Sequence, residues 1–389
     1  MTAHNRNATL FLILTLIVLG ALPVDLTLAA LPAIANHFGL ALPDAALCAS
    51  LYALGIAAAQ PWIGNLVQRW GRKAVLIAGL ALSGVAAAGI VLVEQSWALL
   101  VLRALQGLGC GTLVLVHHLL SGRSVRGRQL LGALALLAAL LIAIAPLMGA
   151  WLQARYGWQV VFLAYEFLVL FTVGLMIGVL DDTPAAGQAR PASFRHELAQ
   201  PGVAGYSVLA GLAFGCQFTA LLALPVVGTL VYGLSPFQVG FALLGYGIAV
   251  LASEAIGGAL GQVLSANNSM RAGLSLLAVA SAALALSLRE ASPAWFLAPL
   301  LATTLGTCLV RATASSQALA LADDHDTAQA LGNSITFACA GLSSLVALQI
   351  QADVRVGVLV MFLAATLVAA LLLASVTQHQ ASDREAVKL

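Results

Sequence analysis

Twelve stretches of this chain run on with almost no charge, each about as long as a bilayer is thick, and that pattern leaves few folds open. A helix needs ~20 apolar residues to cross the hydrocarbon core. The stretches cover residues 8–34, 46–66, 74–93, 97–120, 130–153, 158–180, 202–230, 237–263, 270–289, 294–320, 328–350 and 354–376. Composition agrees: 61% of the 389 residues are hydrophobic, 8% are charged, and the mean hydropathy is +1.00. A soluble domain carries roughly 25% charged residues, so most of this surface faces lipid. Lipid offers the backbone no hydrogen bonds, and helices are the way to satisfy it within each segment. The expected fold is all-α and membrane-integral, with twelve transmembrane helices.

The first stretch resembles a signal peptide only at its start. Its apolar run passes the length of a signal core and reaches Asp25 and Pro32 without a small-residue cleavage site. It reads as a retained membrane helix. The longest polar stretch, residues 181–200, divides the chain. The expected domains are a six-helix bundle over 1–180, a cytoplasmic linker over 181–201, and a second bundle over 202–389 ending in a short cytoplasmic tail. With the N-terminus placed inside, twelve Lys and Arg fall on the cytoplasmic side and three (Arg155, Arg289, Arg355) outside. By the positive-inside rule, both termini are expected in the cytoplasm.

Short echoes relate the halves. Ala21-Leu22-Pro23-Val24-Asp25 is echoed by Ala223-Leu224-Pro225-Val226-Val227, Gly55-Ile56-Ala57 by Gly247-Ile248-Ala249, and Arg103 by Arg311. They suggest parallel repeats with a substrate site near midplane. Asp25 has no acidic counterpart, because Val227 stands in its place.

Charges inside the spans are costly and point to function. Asp25 and Arg103 lie at matching depth, roughly 10–16 Å below the outer surface at ~1.5 Å per residue, and are expected to pair. The bland alternative is a static bridge between two helices. Arg stays charged, so Asp25 is the member able to load and release a proton. Glu254 and Arg311 form a second expected pair in the inner half. Glu166 reads as structural, as a second partner for Arg103. Phe214, Gln217 and Phe218 suit either an amphipathic substrate or ordinary packing. His117 and His118 read as interfacial. Asp323-Asp324-His325-Asp326 looks like a metal cluster, but acids here favour the N-terminus of the next helix, and no metal site is expected. The five cysteines contain no C-x-x-C pair and read as small packing residues. No P-loop, nucleophile elbow, H-E-x-x-H or dinucleotide fingerprint appears. No cofactor and no enzymatic activity are expected. The net charge of +2, without a basic stripe, gives no sign of nucleic-acid binding.

Three motifs add a family likeness. Gly64-Asn65-Leu66-Val67-Gln68-Arg69-Trp70-Gly71-Arg72-Lys73 resembles the G-x-L-A-D-R-x-G-R-[KR] signature of the major facilitator superfamily. Arg103-Ala104-Leu105-Gln106-Gly107 resembles its R-x-x-Q-G. Ala145-Pro146-Leu147-Met148-Gly149-Ala150 resembles its antiporter motif G-P-x-x-G-G. The run LPVDLTLAALPAIANHFGL resembles the opening of the Bcr/CflA drug:proton antiporter branch. The likeness implies two pseudo-symmetric six-helix bundles. It also implies proton-coupled efflux of small amphipathic compounds by alternating access, from a monomer in the bacterial inner membrane. Gly64, Gln68, Arg69, Gly71 and Arg72 would form the inner gate, with Gln68 where the family has an acid. Pro146 and Gly149 would allow a close helix approach. Asp25, Arg103, Gln106, Gln217, Glu254 and Arg311 would serve coupling and the substrate cavity. A dedicated metabolite exporter and a non-transporting membrane receptor remain alternatives.

Overall fold

The computed structural model describes residues 3–115, 125–179, 194–289, 292–350 and 353–386. Its elements are α1 (Ala3–Leu28), α2 (Leu31–Phe38), α3 (Leu42–Trp70), α4 (Arg72–Leu92), α5 (Ser96–Cys110), α6 (Val125–Tyr156), α7 (Gln159–Val179), α8 (Phe194–Ala199), α9 (Pro201–Leu230), α10 (Pro236–Val263), α11 (Ala266–Leu286), α12 (Ala294–Leu321), α13 (His325–Leu348) and α14 (Val354–Ala386). A short 3-10 turn, Gly111–Leu115, continues α5.

Among the described residues, eleven helices are long and apolar enough to cross a membrane. The twelfth expected span, 97–120, is helical as far as Leu115, and residues 116–124 lie outside the described residues, with His117 and His118 among them. Most of the expected linker, 181–193, also lies outside them. Large side chains project outward along these helices, among them Phe167, Leu371 and Val279. Such a surface suits hydrocarbon.

The first expected helix is in fact two. It breaks at Ala29–Ala30, and Pro32 sits in the first turn of α2. Proline has no N–H to give to Leu28, and its ring disfavours helix just before it. Phe38 and the neighbouring His37 then pack on Trp158, with Phe162 behind it. The prolines inside α1, α3, α6, α9 and α12 leave those helices unbroken.

The chain divides into two compact units. One comprises Met1–Ala189 with Gly228–Ile248, the other Arg190–Val227 with Ala249–Leu389. In the first, α3 packs on α5, α4 on α5 and α7, and α1 on α6 and α7. Residues 240 and 247 lie against α6, where Gly240 meets Leu147 and Ala150, and Gly247 meets Ala143. In the second unit, α11 packs on α12 and α14, and α14 on α13. Within it the short helix α8 is held by Glu197, whose Oε1 accepts the Asp324 N–H at 3.0 Å.

Glycines set the closest crossings. A Cβ on Gly79 would strike the Gly109 carbonyl, and one on Gly306 would strike the Gly273 carbonyl at 2.8 Å. The α4–α5 and α11–α12 crossings are therefore built alike, small residue against small residue.

Candidate functional site

The first unit gathers its polar groups around Arg103, which is fully buried. Its Nη1 donates to Gln106 Oε1 at 2.8 Å, and its Nη2 to the Pro23 carbonyl at 2.9 Å and, less closely, to Thr27 Oγ1 at 3.4 Å. The guanidinium lies 5.4 Å from the Tyr52 ring centroid and 5.6 Å from that of Phe162. Tyr52 in turn donates its hydroxyl to the Gly20 carbonyl at 2.9 Å. Two carbonyls of α1 are thus capped by side chains from α5 and α3.

Asp25 is not part of this cluster, which corrects the expected ion pair. It is 9% exposed and makes no ion pair or hydrogen bond to any described residue. Helix geometry gives the reason. Pro23 and Thr27 are four residues apart and share the face that Arg103 meets. Asp25 is two residues from each, and at ~100° per residue it points the other way. Its carboxylate oxygens are not among the sealed atoms that lack a partner. Among the described residues, Asp25 is a shielded acid with no cation to release.

Glu166 is not the second partner of Arg103 either. Its carboxylate lies against Gly84 of α4, where an added Cβ would meet Oε2 at 2.7 Å. Its Oε2 is buried without a hydrogen bond. The neighbouring Tyr165 binds Ser83 Oγ at 2.7 Å and Cys110 Sγ at 3.1 Å.

In the second unit the expected pair forms: Arg311 Nη2 donates to Glu254 Oε1. Arg311 also lies over the Phe214 ring, 5.9 Å from its centroid, and Phe337 meets that ring edge-on at 5.5 Å. Gln217 is half-buried one turn along α9 from Phe214. Arg311 is not the positional equivalent of Arg103. Arg103 precedes the Gly109 crossing by six residues, whereas Arg311 follows the matching Gly306 crossing by five.

The residues expected to form the inner gate divide unevenly. Gly71 joins α3 to α4 with φ +80°, a conformation open to glycine, and its N–H caps Val67 at 2.8 Å. Gly64 does not share this role, since it lies inside α3 on an exposed face. Arg69 is exposed, while Gln68 and Arg72 are half-buried. Gly149 presses on the Leu26 carbonyl of α1, so a Cβ there has no space. Pro146 is buried beside it, between Ala145 and Ala150, which are both buried. The partner of this close approach is α1, the helix that carries Asp25.

The acidic run before α13 does local work. Asp324 caps the helix by accepting the Asp326 N–H at 3.1 Å and the Thr327 hydroxyl at 2.7 Å. Asp323 accepts from Gln200 at 2.7 Å and meets His196 at 3.1 Å. No metal-binding group of three occurs among the described residues.

Sequence reasoning missed Tyr52, Thr27, Phe162 and the Pro23 carbonyl as the surroundings of Arg103. The four-residue spacing of Pro23 and Thr27 was the available signal.

Comparison with known proteins then gives three findings. Residues 13–348 match the family model described as Major Facilitator Superfamily. The chain is 30% identical over 177 residues to the multidrug resistance protein MdtL of Escherichia coli (strain K12), covering 45% of each chain. The MdtL of Shigella boydii serotype 18 gives the same identity and coverage. The match thus spans about half the length of these curated relatives.

Proposed function

Since this chain belongs to the major facilitator superfamily, we propose that it is a proton-coupled transporter exporting small amphipathic molecules by alternating access. The observation that supports this reading is Asp25, shielded inside an apolar span with no ion-pair partner among the described residues. A carboxyl in that setting gains or loses a proton without breaking a bridge. Arg103 is committed to Gln106, Pro23 and two rings, so it shapes α1 around Asp25 and does not titrate.

In the proposed cycle, Asp25 takes a proton from the outside and gives it up inside. Substrate leaves in the opposite sense. One charge moved through 100 mV supplies ~2.3 kcal/mol, enough for tens-fold accumulation per proton. The close α1–α6 contact at Gly149 couples the acid's helix to its neighbour. The relatives named for multidrug resistance favour a broad substrate range over a dedicated metabolite. The basic-residue bias favours both termini in the cytoplasm, and the bacterial relatives favour a bacterial inner membrane.

The test is transport by purified protein in liposomes. An imposed pH gradient should drive ethidium uphill in the direction opposite to proton flow, and collapsing the gradient should stop it. Uphill movement of no compound in a broad panel, with the gradient intact, would overturn the reading.

A further inference from the structure

One acid of the first unit has no part in the chemistry above. Glu166 of α7 is half-buried and makes no hydrogen bond or ion pair with any described residue. Counting along each helix at ~1.5 Å per residue, it lies about 10 Å inside the Gln159 end of α7, and Gly84 beside it about 12 Å inside the Leu92 end of α4. Both helices are apolar enough to cross a membrane. An acid at that depth is costly and points to function.

Glu166 stands where the inner face of α7 meets its outer face. Tyr165, Val169 and Thr172 turn inward and are buried. Leu163, Phe167 and Leu170 are 46%, 72% and 62% exposed, and helix geometry puts all three to one side of Glu166. Large apolar side chains so exposed on a spanning helix face lipid. Across from the acid, α4 offers little bulk: Gly84 has no side chain, and Ala81 and Ala88 are small and exposed. The carboxyl therefore sits in a notch that opens toward the bilayer.

Its two oxygens are not equally available. Oε2 is sealed against Gly84 without a partner, whereas Oε1 is not among the sealed atoms. Hydrocarbon tolerates a neutral carboxylic acid far better than a bare carboxylate. The neutral acid carries an O–H donor, and lipid tails hold no acceptor for it. A lipophilic molecule that does hold one is already dissolved in the phase the notch faces.

We infer that the notch between α4 and α7 is a bilayer-facing site for uncharged, lipophilic hydrogen-bond acceptors, held by the carboxylic acid of Glu166. The acid donates to the acceptor atom, and Leu163, Phe167 and Leu170 pack the apolar remainder. The site is separate from Asp25 and Arg103 and does not depend on the transport reading.

Dicyclohexylcarbodiimide tests the site, because it is such an acceptor and records its own binding. The carboxyl proton passes to one carbodiimide nitrogen and a carboxyl oxygen bonds to the central carbon, giving an O-acylisourea. The acyl group then migrates from oxygen to nitrogen, giving a stable N-acylurea with nothing lost. The full chain in phosphatidylcholine liposomes is treated briefly, digested and mapped by mass spectrometry, which reads Glu166 separately from Asp25 and Glu254. Glu166 should carry the adduct. A carbodiimide bearing a cationic dimethylaminopropyl group stays in water and should label Glu166 at least about tenfold less. Excess N,N-dihexylacetamide, an unreactive lipophilic acceptor, should slow the labelling by about threefold or more. Glu166→Gln should remove the adduct at this position; if that variant does not fold, the wild-type map and the competition decide. No adduct on Glu166, equal labelling by the two carbodiimides, or labelling that the amide does not slow would overturn the site.

Discussion

Thr27 stands four residues after Pro23, Asp25 lies between them, and that spacing decides what Arg103 touches. The sequence placed acid and guanidinium at matching depth. It did not fix their direction around the helix, and direction separates them. Depth is legible because it counts residues along an axis; the facing of two helices depends on how both rotate in the bundle. Glu254 and Arg311 came together as read, because both happened to point toward each other across α10 and α12. A first prediction follows from the Arg103 cluster. Arg103→Ala removes charge-assisted hydrogen bonds and two ring contacts, a loss of roughly 3–5 kcal/mol. Asp25→Asn removes no group partnered among the described residues and should cost under about 1 kcal/mol. Thermal unfolding in detergent should therefore rank Arg103→Ala far below Asp25→Asn. Equal transitions would mean that Asp25 is bridged after all.

Helices and their crossings carry the next layer. Length and apolarity fixed eleven spans at or near their expected bounds. The break at Ala29–Ala30 and the short helix α8 escaped notice. The first needed Pro32 to be weighed as a stop inside an otherwise continuous run. The second is a six-residue element with a buried Glu197, held by tertiary contacts that no local pattern records. Glycine roles were also hidden, since abundant glycine does not reveal which one touches backbone. Gly149→Ala should destabilise by about 1–3 kcal/mol through overpacking on Leu26. Gly174→Ala, with nothing within 4 Å of its Cβ, should be neutral or slightly stabilising. Thermal transitions of the two variants check this, and equal effects would contradict the crossing.

At the start of α14, Arg355 grips Asp353 at 2.9 Å and the Ser287 carbonyl at 2.6 Å, stapling α14 to the end of α11. Burial works against the charge on Asp353, but hydrogen bonds and charge from Arg355 outweigh it and hold the carboxyl below its usual range. A depressed carboxylate contributes stability above its unfolded value, ~3.9, and loses that contribution as pH falls through the folded value. Asp353→Asn should cost about 0.5–1 kcal/mol at neutral pH. The gap from wild type should close in acid. A gap that persists there would assign the effect to packing.

On the scale of the whole molecule, the fold class was legible from hydropathy alone, and the repeat from weak echoes. The structure supports the repeat through matched glycine crossings, Gly79 with Gly109 and Gly273 with Gly306. It also moves one echo, because Arg311 sits on the far side of its crossing from the level of Arg103. The halves share packing and differ in where they keep charge. The topology itself is checked by an alkaline phosphatase fusion after Leu389. It should be silent in intact cells, because twelve basic residues assign that side to the cytoplasm. An active fusion would invert the orientation.

Asp25 is proposed to couple protons to transport, with no ion-pair partner among the described residues. The most direct measurement compares two assays of Asp25→Asn in liposomes: exchange of labelled ethidium at equal concentrations, and uphill accumulation under an imposed pH gradient. The variant should exchange at a rate comparable to wild type, because shape and cavity are kept, yet accumulate nothing, because no proton is carried. Accumulation by Asp25→Asn at the wild-type level would contradict the account.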